Sequence, residues 1–198
     1  HQPAPELTRP GPAVRSGRNG PRPVPARGGD CNLIWTLTLN AVLDHVYSVP
    51  EAASDAAMAE RSEHLAAGKG INVSRALSAL GRRSVAVVLC SADTADAYRT
   101  ELGSLGVVPR LVIGLPQTRR HVTILRPGTP LHIRERGLAA QPGTPVRLEI
   151  ALEDIASGDD VAFCGSAAPG LPPDILPRMV RTLTARGARV WVDMSGEP

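Results

Sequence analysis

Short runs of consecutive apolar residues alternate along this chain with segments whose apolar positions recur every three or four residues. Leu33–Leu39 is such a run, broken only by two threonines, and predicts a buried strand. Val85–Cys90, Val107–Ile113, Val161–Cys164 and Val190–Asp193 read the same way. Between them, Gly70–Leu80 carries Val73, Ala76, Leu77 and Leu80 at i, i+3, i+4 and i+7, with Gly81 as a stop signal. That spacing predicts an amphipathic helix. Thr94–Leu105, ending at Gly106, and Val146–Ile155 are further predicted helices. Asp174–Arg186 is another, with Ile175, Met179 and Leu183 on one stripe and Gly187 beyond it.

Repeated strand–helix units predict an α/β fold, a mainly parallel sheet flanked by helices. One stretch departs from this texture. Arg120–Arg126 and Leu131–Arg136 alternate polar and apolar residues around Pro127-Gly128-Thr129-Pro130, which predicts a hairpin with one wet face. With the polar segment after Asp44, it would form a small separate β lid (segments about 44–66 and 119–136). In parallel α/β sheets, ligands sit outside the carboxyl ends of the strands. Asn40, Asp44, Gly165, Ser166 and Asp193 all follow predicted strand ends and should face one crevice.

Composition narrows the function classes. The 198 residues are 42% hydrophobic and 21% charged, enough for one buried domain, and only 3% aromatic, so Leu, Val, Ile and Ala must build the core. The net charge is +3, and five arginines against Glu6 and Asp30 within residues 1–30 account for all of it. The remainder is neutral, which argues against a nucleic-acid partner. Residues 1–30 also hold seven prolines and almost no large apolar side chains, so a disordered tail is expected there, with the folded domain over 31–198. Cys31, Cys90 and Cys164 lack any CxxC spacing, suggesting reduced thiols rather than a disulfide framework or a metal site. No apolar run reaches 18 residues and no apolar stretch follows the N-terminus, so a cytoplasmic location without membrane contact is expected. The chain begins with His1 rather than Met, so its start is read as incomplete or processed.

Among 22 Lys and Arg residues, only Lys69 is a lysine. It lies in Ala67-Gly68-Lys69-Gly70-Ile71-Asn72, at the mouth of the first predicted helix. Glycines let the backbone approach a ligand closely, and a helix N-terminus favours anions. Lys69 adds a compact positive charge, and Asn72 one turn on can bind hydroxyls. The segment suits a phosphorylated or hydroxyl-rich small molecule; a surface lysine in a glycine turn is the alternative. It is not a P-loop, because Glu63 and Gly70 stand where that motif needs Gly and Ser or Thr.

Gly68-Lys69-Gly70-Ile71-Asn72-Val73-Ser74-Arg75-Ala76-Leu77 resembles the GGKGxNVARAL signature of the ribokinase-like (PfkB-type) carbohydrate kinases. Upstream, Thr38-Leu39-Asn40-Ala41-Val42-Leu43-Asp44 resembles the TLNPALD of the 1-phosphofructokinase and tagatose-6-phosphate kinase branch. Gly165–Pro172 is similar to GSLPPGLP, Asp193–Glu197 to DTSGE, and Thr118-Arg119 to the start of TRxNVKI. The landmarks stand in family order over residues 33–198, about the first half of such a kinase.

The resemblance implies a ribokinase-like fold truncated at its C-terminal side. It implies that Asp44, Gly68 and Asn72 bind sugar hydroxyls, and that Lys69 and Arg119 meet the substrate phosphate or order the site around it. It implies ATP and Mg²⁺ as cofactors, a phosphorylated sugar as substrate, with fructose 1-phosphate favoured by the motif wording, and a homodimer through the lid. The family's GAGD motif, which carries the catalytic base, has no counterpart here. No catalytic residue is therefore assigned, and little or no kinase activity is expected of these residues alone. A non-catalytic phosphosugar-binding module and a non-functional gene remnant are the alternatives.

Several positions depart from the family pattern. Ala41 replaces a proline, and Ala67 replaces the first glycine of GGKG, which would be strained if φ were positive there. His121 and Thr123 replace the lid asparagine and lysine, and Arg120, Arg134 and Arg136 bring unexpected charge. Asp159 and Asp160 read as ordinary turn residues before a strand.

Overall fold

The computed structural model describes residues 32–50 and 56–195. The expected tail over residues 1–30, Cys31, and the Gly196–Glu197 end of the DTSGE-like segment lie outside the described residues. The elements run β1 (Ile34–Thr38), β2 (Val42–Ser48), β3 (Arg61–Ala67), α1 (Lys69–Ala79), β4 (Ser84–Cys90), α2 (Ala95–Ser104) and β5 (Val108–Ile113). They continue with β6 (Arg119–Leu125), β7 (Leu131–Arg134), α3 (Thr144–Ala151), β8 (Asp160–Gly165), α4 (Ile175–Ala185) and β9 (Arg189–Met194).

Two sheets result. A five-stranded sheet has the order β5-β4-β1-β8-β9, and all its pairings are parallel. A four-stranded sheet has the order β3-β2-β6-β7, with a parallel β2–β6 pairing between two antiparallel ones. The sequence explains the division. Strands of a parallel sheet are covered on both faces and read as continuous apolar runs, and every residue of β4 is buried. The second sheet is half wet, and its strands mix His, Asp, Glu and Arg with Val and Leu.

Alternation along the central strands sends side chains to two cores. Trp35, Leu37, Val85, Val87, Leu89, Val161 and Phe163 join Leu148, Leu152, Ile175, Met179 and Leu183 of the α3–α4 side. Ala86, Val88 and Cys90 join Ile71, Ala95, Tyr98 and Leu102 on the α1–α2 side. In α4 the predicted stripe of Ile175, Met179 and Leu183 is the buried one.

In α1 the buried face is different from the expected stripe. Gly70, Ile71 and Ser74 face the sheet, while Leu80 is 76% exposed and Ala76 is exposed. The cause is proximity. Small residues at i and i+4 let the helix settle directly on β1, where the Ser74 and Thr36 hydroxyls hydrogen-bond at 2.7 Å. A larger stripe such as Val73–Leu80 would hold the helix further out.

Asp159 is not an ordinary turn residue. It is fully buried, and its carboxylate accepts from the backbone N–H of Leu33 (3.1 Å), the Trp35 indole N–H (3.1 Å) and the backbone N–H of Ala156 (3.0 Å). It thereby ties the start of β1 to the turn before β8. Asp160 pairs with Arg189 on the neighbouring strand, and that guanidinium, as a hydrogen-bond donor, holds its carboxyl below the usual carboxylate range. Cys90 and Cys164 are free, buried thiols, and burial pushes the Cys90 thiol up to about 12. β9 lies at the sheet edge, with Trp191 63% and Val192 52% exposed. Among the described residues, no helix is long and apolar enough to cross a membrane.

Candidate functional site

In the strand order of the large sheet, β1 stands between β4 and β8, so the connections leave it in both directions. The crevice beyond the carboxyl end of β1 is therefore the topological switch point, where such folds bind ligands. Asn40 follows β1 into it. The Asn40 side-chain amide donates to Ser166 Oγ at 3.1 Å and to Ala167 O at 3.4 Å. The backbone N–H of Ala168 donates to Leu39 O at 3.0 Å. These bonds join the end of β1 to the loop after β8.

The N-terminus of α1 reaches the same place. A side chain on Gly68 would put its Cβ 2.5 Å from Thr38 Cγ2, and φ there is 153°. One on Gly70 would lie 2.7 Å from the Leu37 carbonyl oxygen. Both positions therefore require glycine if the helix is to start against the end of β1. Lys69, between them, is exposed, and its stem passes over Gly165 at the end of β8, where an added Cβ would lie 3.4 Å from Lys69 Cβ. Ala67 has no positive φ, so its replacement of a glycine carries no backbone strain. Asn72 is exposed one turn along, with its Oδ1 accepting from Arg75 Nη1 at 2.9 Å. Arg75 is anchored to Glu101 Oε1 at 2.7 Å and to Ala66 O at 3.1 Å.

The second sheet closes the far side. Ala67, Val42 and Arg119 form one rung across β3, β2 and β6, and Leu65, Asp44, His121 and Arg134 form the next that shares its face. The base of this sheet is held by the buried Tyr98 hydroxyl, which donates to Val42 O at 2.7 Å. Arg119 is aimed by what precedes it: Thr118 sits in a buried hydroxyl cluster with Ser91 (2.8 Å) and Thr94 (2.7 Å). Arg119 Nη2 donates to Asn40 O at 3.1 Å, linking the two sheets at the crevice. Its Nε is buried with no hydrogen-bond partner, and burial lowers the Arg119 pKa from its ordinary value. Asp44 Oδ1 lies 3.5 Å from His121 Nδ1. Burial, followed by the Arg119 charge, pulls the His121 pKa down.

A cavity of about 380 Å³ opens beside Arg119, lined also by Gln117, Glu135, Arg136, Gly137 and Leu138. A second, of about 320 Å³, lies between α3 and α4 on the other side of the sheet and includes Glu149, Arg178 and Arg186. The first adjoins the convergent polar groups, and the second does not. Of the five residues singled out in the sequence, Asp44 and Arg119 share one face of the small sheet. Gly68, Lys69 and Asn72 line the start of α1, with Lys69 beside the end of β8. Asn40 and Ser166 cross-link the crevice floor. The sequence signals for both were their position after a predicted strand and their place in the TLNPALD-like and GSLPPGLP-like segments.

The model of the pfkB carbohydrate kinase family matches residues 37–198. The chain belongs to that family. A 1-phosphofructokinase of Rhodobacter capsulatus is 29% identical over 168 residues, covering 82% of this chain and 53% of the relative. The ATP-dependent 6-phosphofructokinase isozyme 2 of Escherichia coli is 28% identical over 167 residues, covering 83% of this chain and 54% of the relative. The solved structure of phosphofructokinase-2 from Escherichia coli in complex with fructose-6-phosphate superposes with a TM-score of 0.76 at 26% identity, covering 84% of this chain and 56% of that one. The α/β fold, with its parallel-dominated sheet between helices, is thus that of the ribokinase-like pfkB kinases. The chain spans about half the length of the curated relatives it matches.

Among the described residues, no group of three or more His, Cys, Asp or Glu side chains could hold a metal ion.

Proposed function

We propose that this chain is the sugar-binding portion of an ATP-dependent sugar-phosphate kinase of the 1-phosphofructokinase type, with fructose 1-phosphate as the favoured substrate. The observation that carries this reading is the convergence at the switch point. Asp44, as a half-buried acceptor, suits sugar hydroxyls, and Gly68 and Asn72 offer backbone and amide donors at the start of α1. Lys69 and Arg119 bring positive charge from two sides of the same crevice, as a phosphorylated polyol requires. The names of the relatives support a sugar-phosphate kinase and leave fructose 1-phosphate and fructose 6-phosphate as competing substrates.

ATP and Mg²⁺ are the cofactors this reading implies. Among the described residues no group of three or more His, Cys, Asp or Glu could hold a metal ion, and none of the family motifs they carry supplies the catalytic base. The 198-residue chain is accordingly expected to bind phosphosugar without turning it over. A homodimer through the small sheet also belongs to this reading. The face of that sheet away from Asp44 exposes Ile133 (51%) and Leu131 (40%) beside Tyr47, His45 and His64, an apolar surface suited to a second copy. A cytoplasmic location is the corresponding expectation.

Titration calorimetry with fructose 1-phosphate tests the reading. Saturable heat that Asp44→Ala and Lys69→Ala each abolish is the expected result. A folded chain that gives no heat with fructose 1-phosphate, fructose 6-phosphate or tagatose 6-phosphate would exclude it.

A further inference from the structure

Across the β6–β7 hairpin, His121 stands opposite Arg134. The pairing carries on past the end of β7, where the Glu135 backbone N–H donates to Arg120 O at 3.1 Å and the Glu135 carboxylate accepts the Arg120 backbone N–H at 2.7 Å. The same register therefore places Arg136 directly opposite Arg119. Side chains alternate along strands, so Arg119, His121, Arg134 and Arg136 share one face, the face that also carries Asp44.

This is an unfavourable arrangement for an empty site. Like charges directly opposite each other on neighbouring strands are destabilising. Among the described residues, neither Arg134 nor Arg136 makes an ion pair, and Arg119 bonds only a carbonyl oxygen while its buried Nε has no partner. Of the carboxylates on that face, Asp44 lies against His121 and Glu63 of β3 pairs with Arg61. Arg119 and Arg136 both line the 380 Å³ cavity, which is large enough for a phosphate ester. The segment after Arg136 is held close, since a Cβ on Gly137 would lie 3.5 Å from Arg119 Cδ.

We infer that Arg136 and Arg134 join Arg119 in an anion subsite on the hairpin that selects the phosphate monoester end of the substrate. This rests on the phosphosugar reading given above and deepens it. Planar guanidinium groups on facing strands can each present two N–H donors to one phosphate, whose charge removes the repulsion between them. Arg136 is then a specificity-determining residue: a neutral sugar has no use for it. Asp44, by contrast, serves phosphorylated and neutral sugars alike.

Thermal shift and titration calorimetry on the full chain, with fructose 1-phosphate, fructose and inorganic phosphate as separate probes, test this. Arg136→Gln should weaken fructose 1-phosphate and inorganic phosphate on the order of tenfold or more, as expected for a charge-assisted hydrogen bond, and leave fructose binding unchanged. Arg136→Lys should recover part of the loss. The ligand-free Arg136→Gln chain should melt no lower than the parent, because a repulsion has been removed; a merely structural arginine would lower its melting temperature. If fructose 1-phosphate binding falls with Asp44→Asn but not with Arg136→Gln, the anion subsite is refuted and the phosphosugar reading stands. If inorganic phosphate binds in an Arg136-dependent way and no phosphosugar binds, the subsite stands and the phosphosugar reading is refuted. Absence of any anion binding refutes the subsite.

Discussion

Gly70→Ala makes a sharp test of how α1 is seated. The residue is in the first turn of the helix, where alanine is the better helix former by about 0.5–1 kcal/mol. Helix propensity alone thus predicts a more stable protein. The structure predicts the reverse. The new Cβ would lie 2.7 Å from the Leu37 carbonyl oxygen, 2.9 Å from its carbon and 2.6 Å from Thr38 Oγ1. Two of these are backbone atoms of the central strand and cannot swing aside. Overpacking of this kind costs about 1–3 kcal/mol, so a net loss of roughly 1–2 kcal/mol should remain. Gly103→Ala in α2 is the matched control. Its Cβ meets nothing within 4 Å and its φ is not positive, so it should stabilise by about 0.5–1 kcal/mol. Urea unfolding followed by tryptophan fluorescence measures both. The seating of α1 on β1 is refuted if Gly70→Ala stabilises as much as Gly103→Ala.

Other expectations follow from the same contacts. Asp159→Ala strands the buried Leu33 N–H and Trp35 indole N–H, each costing about 1–3 kcal/mol, so a loss of roughly 3 kcal/mol or more is expected in urea unfolding. Trp191→Lys should leave the melting temperature within a few degrees and raise the concentration at which the chain aggregates in light scattering, because the ring is exposed on an edge strand. The His45 and His121 pKa values are both pulled down, chiefly by burial, from an ordinary value of 6.5. Lowered histidine values mean the unfolded chain takes up protons first, so stability should fall as pH drops through about 6.5 and stop falling below the folded values. A melting-temperature profile whose acid limb flattens in His121→Gln checks this assignment.

The large sheet was legible because its central strands β1, β4 and β8 are mostly buried on both faces and so are written in largely apolar residues, as in Val85–Cys90. Two features of the small sheet were not. β2 and β3 were expected only as a polar lid segment over about 44–66, because Asp44, His45, Glu63 and His64 interrupt their apolar residues and neither periodicity nor an apolar run sets their bounds. The pairing of Arg119 with Arg136 depends on hairpin register, which composition does not encode. The α1 stripe misled for a different reason. Apolar spacing locates a buried face only when side chains fill the gap between helix and sheet. Here Gly70 and Ser74 close that gap, and the larger Val73, Leu77 and Leu80 are left at the rim or in solvent. Asp159 was missed because three hydrogen-bond donors converge on it from distant segments. The chemistry of the site was more accessible. A single lysine among so many arginines, flanked by two glycines whose place against Thr38 and the Leu37 carbonyl excludes a side chain, marks the start of α1 in the sequence itself.

The most direct measurement is a titration of the ¹⁵N-labelled chain with fructose 1-phosphate, following backbone amide shifts. The account predicts saturable shifts concentrated at Gly68, Gly70, Asn72, Arg119, Gly137 and Ser166, with the α3–α4 cavity around Arg178 and Arg186 silent. Shifts centred on that cavity, or none anywhere in a folded chain, would contradict it.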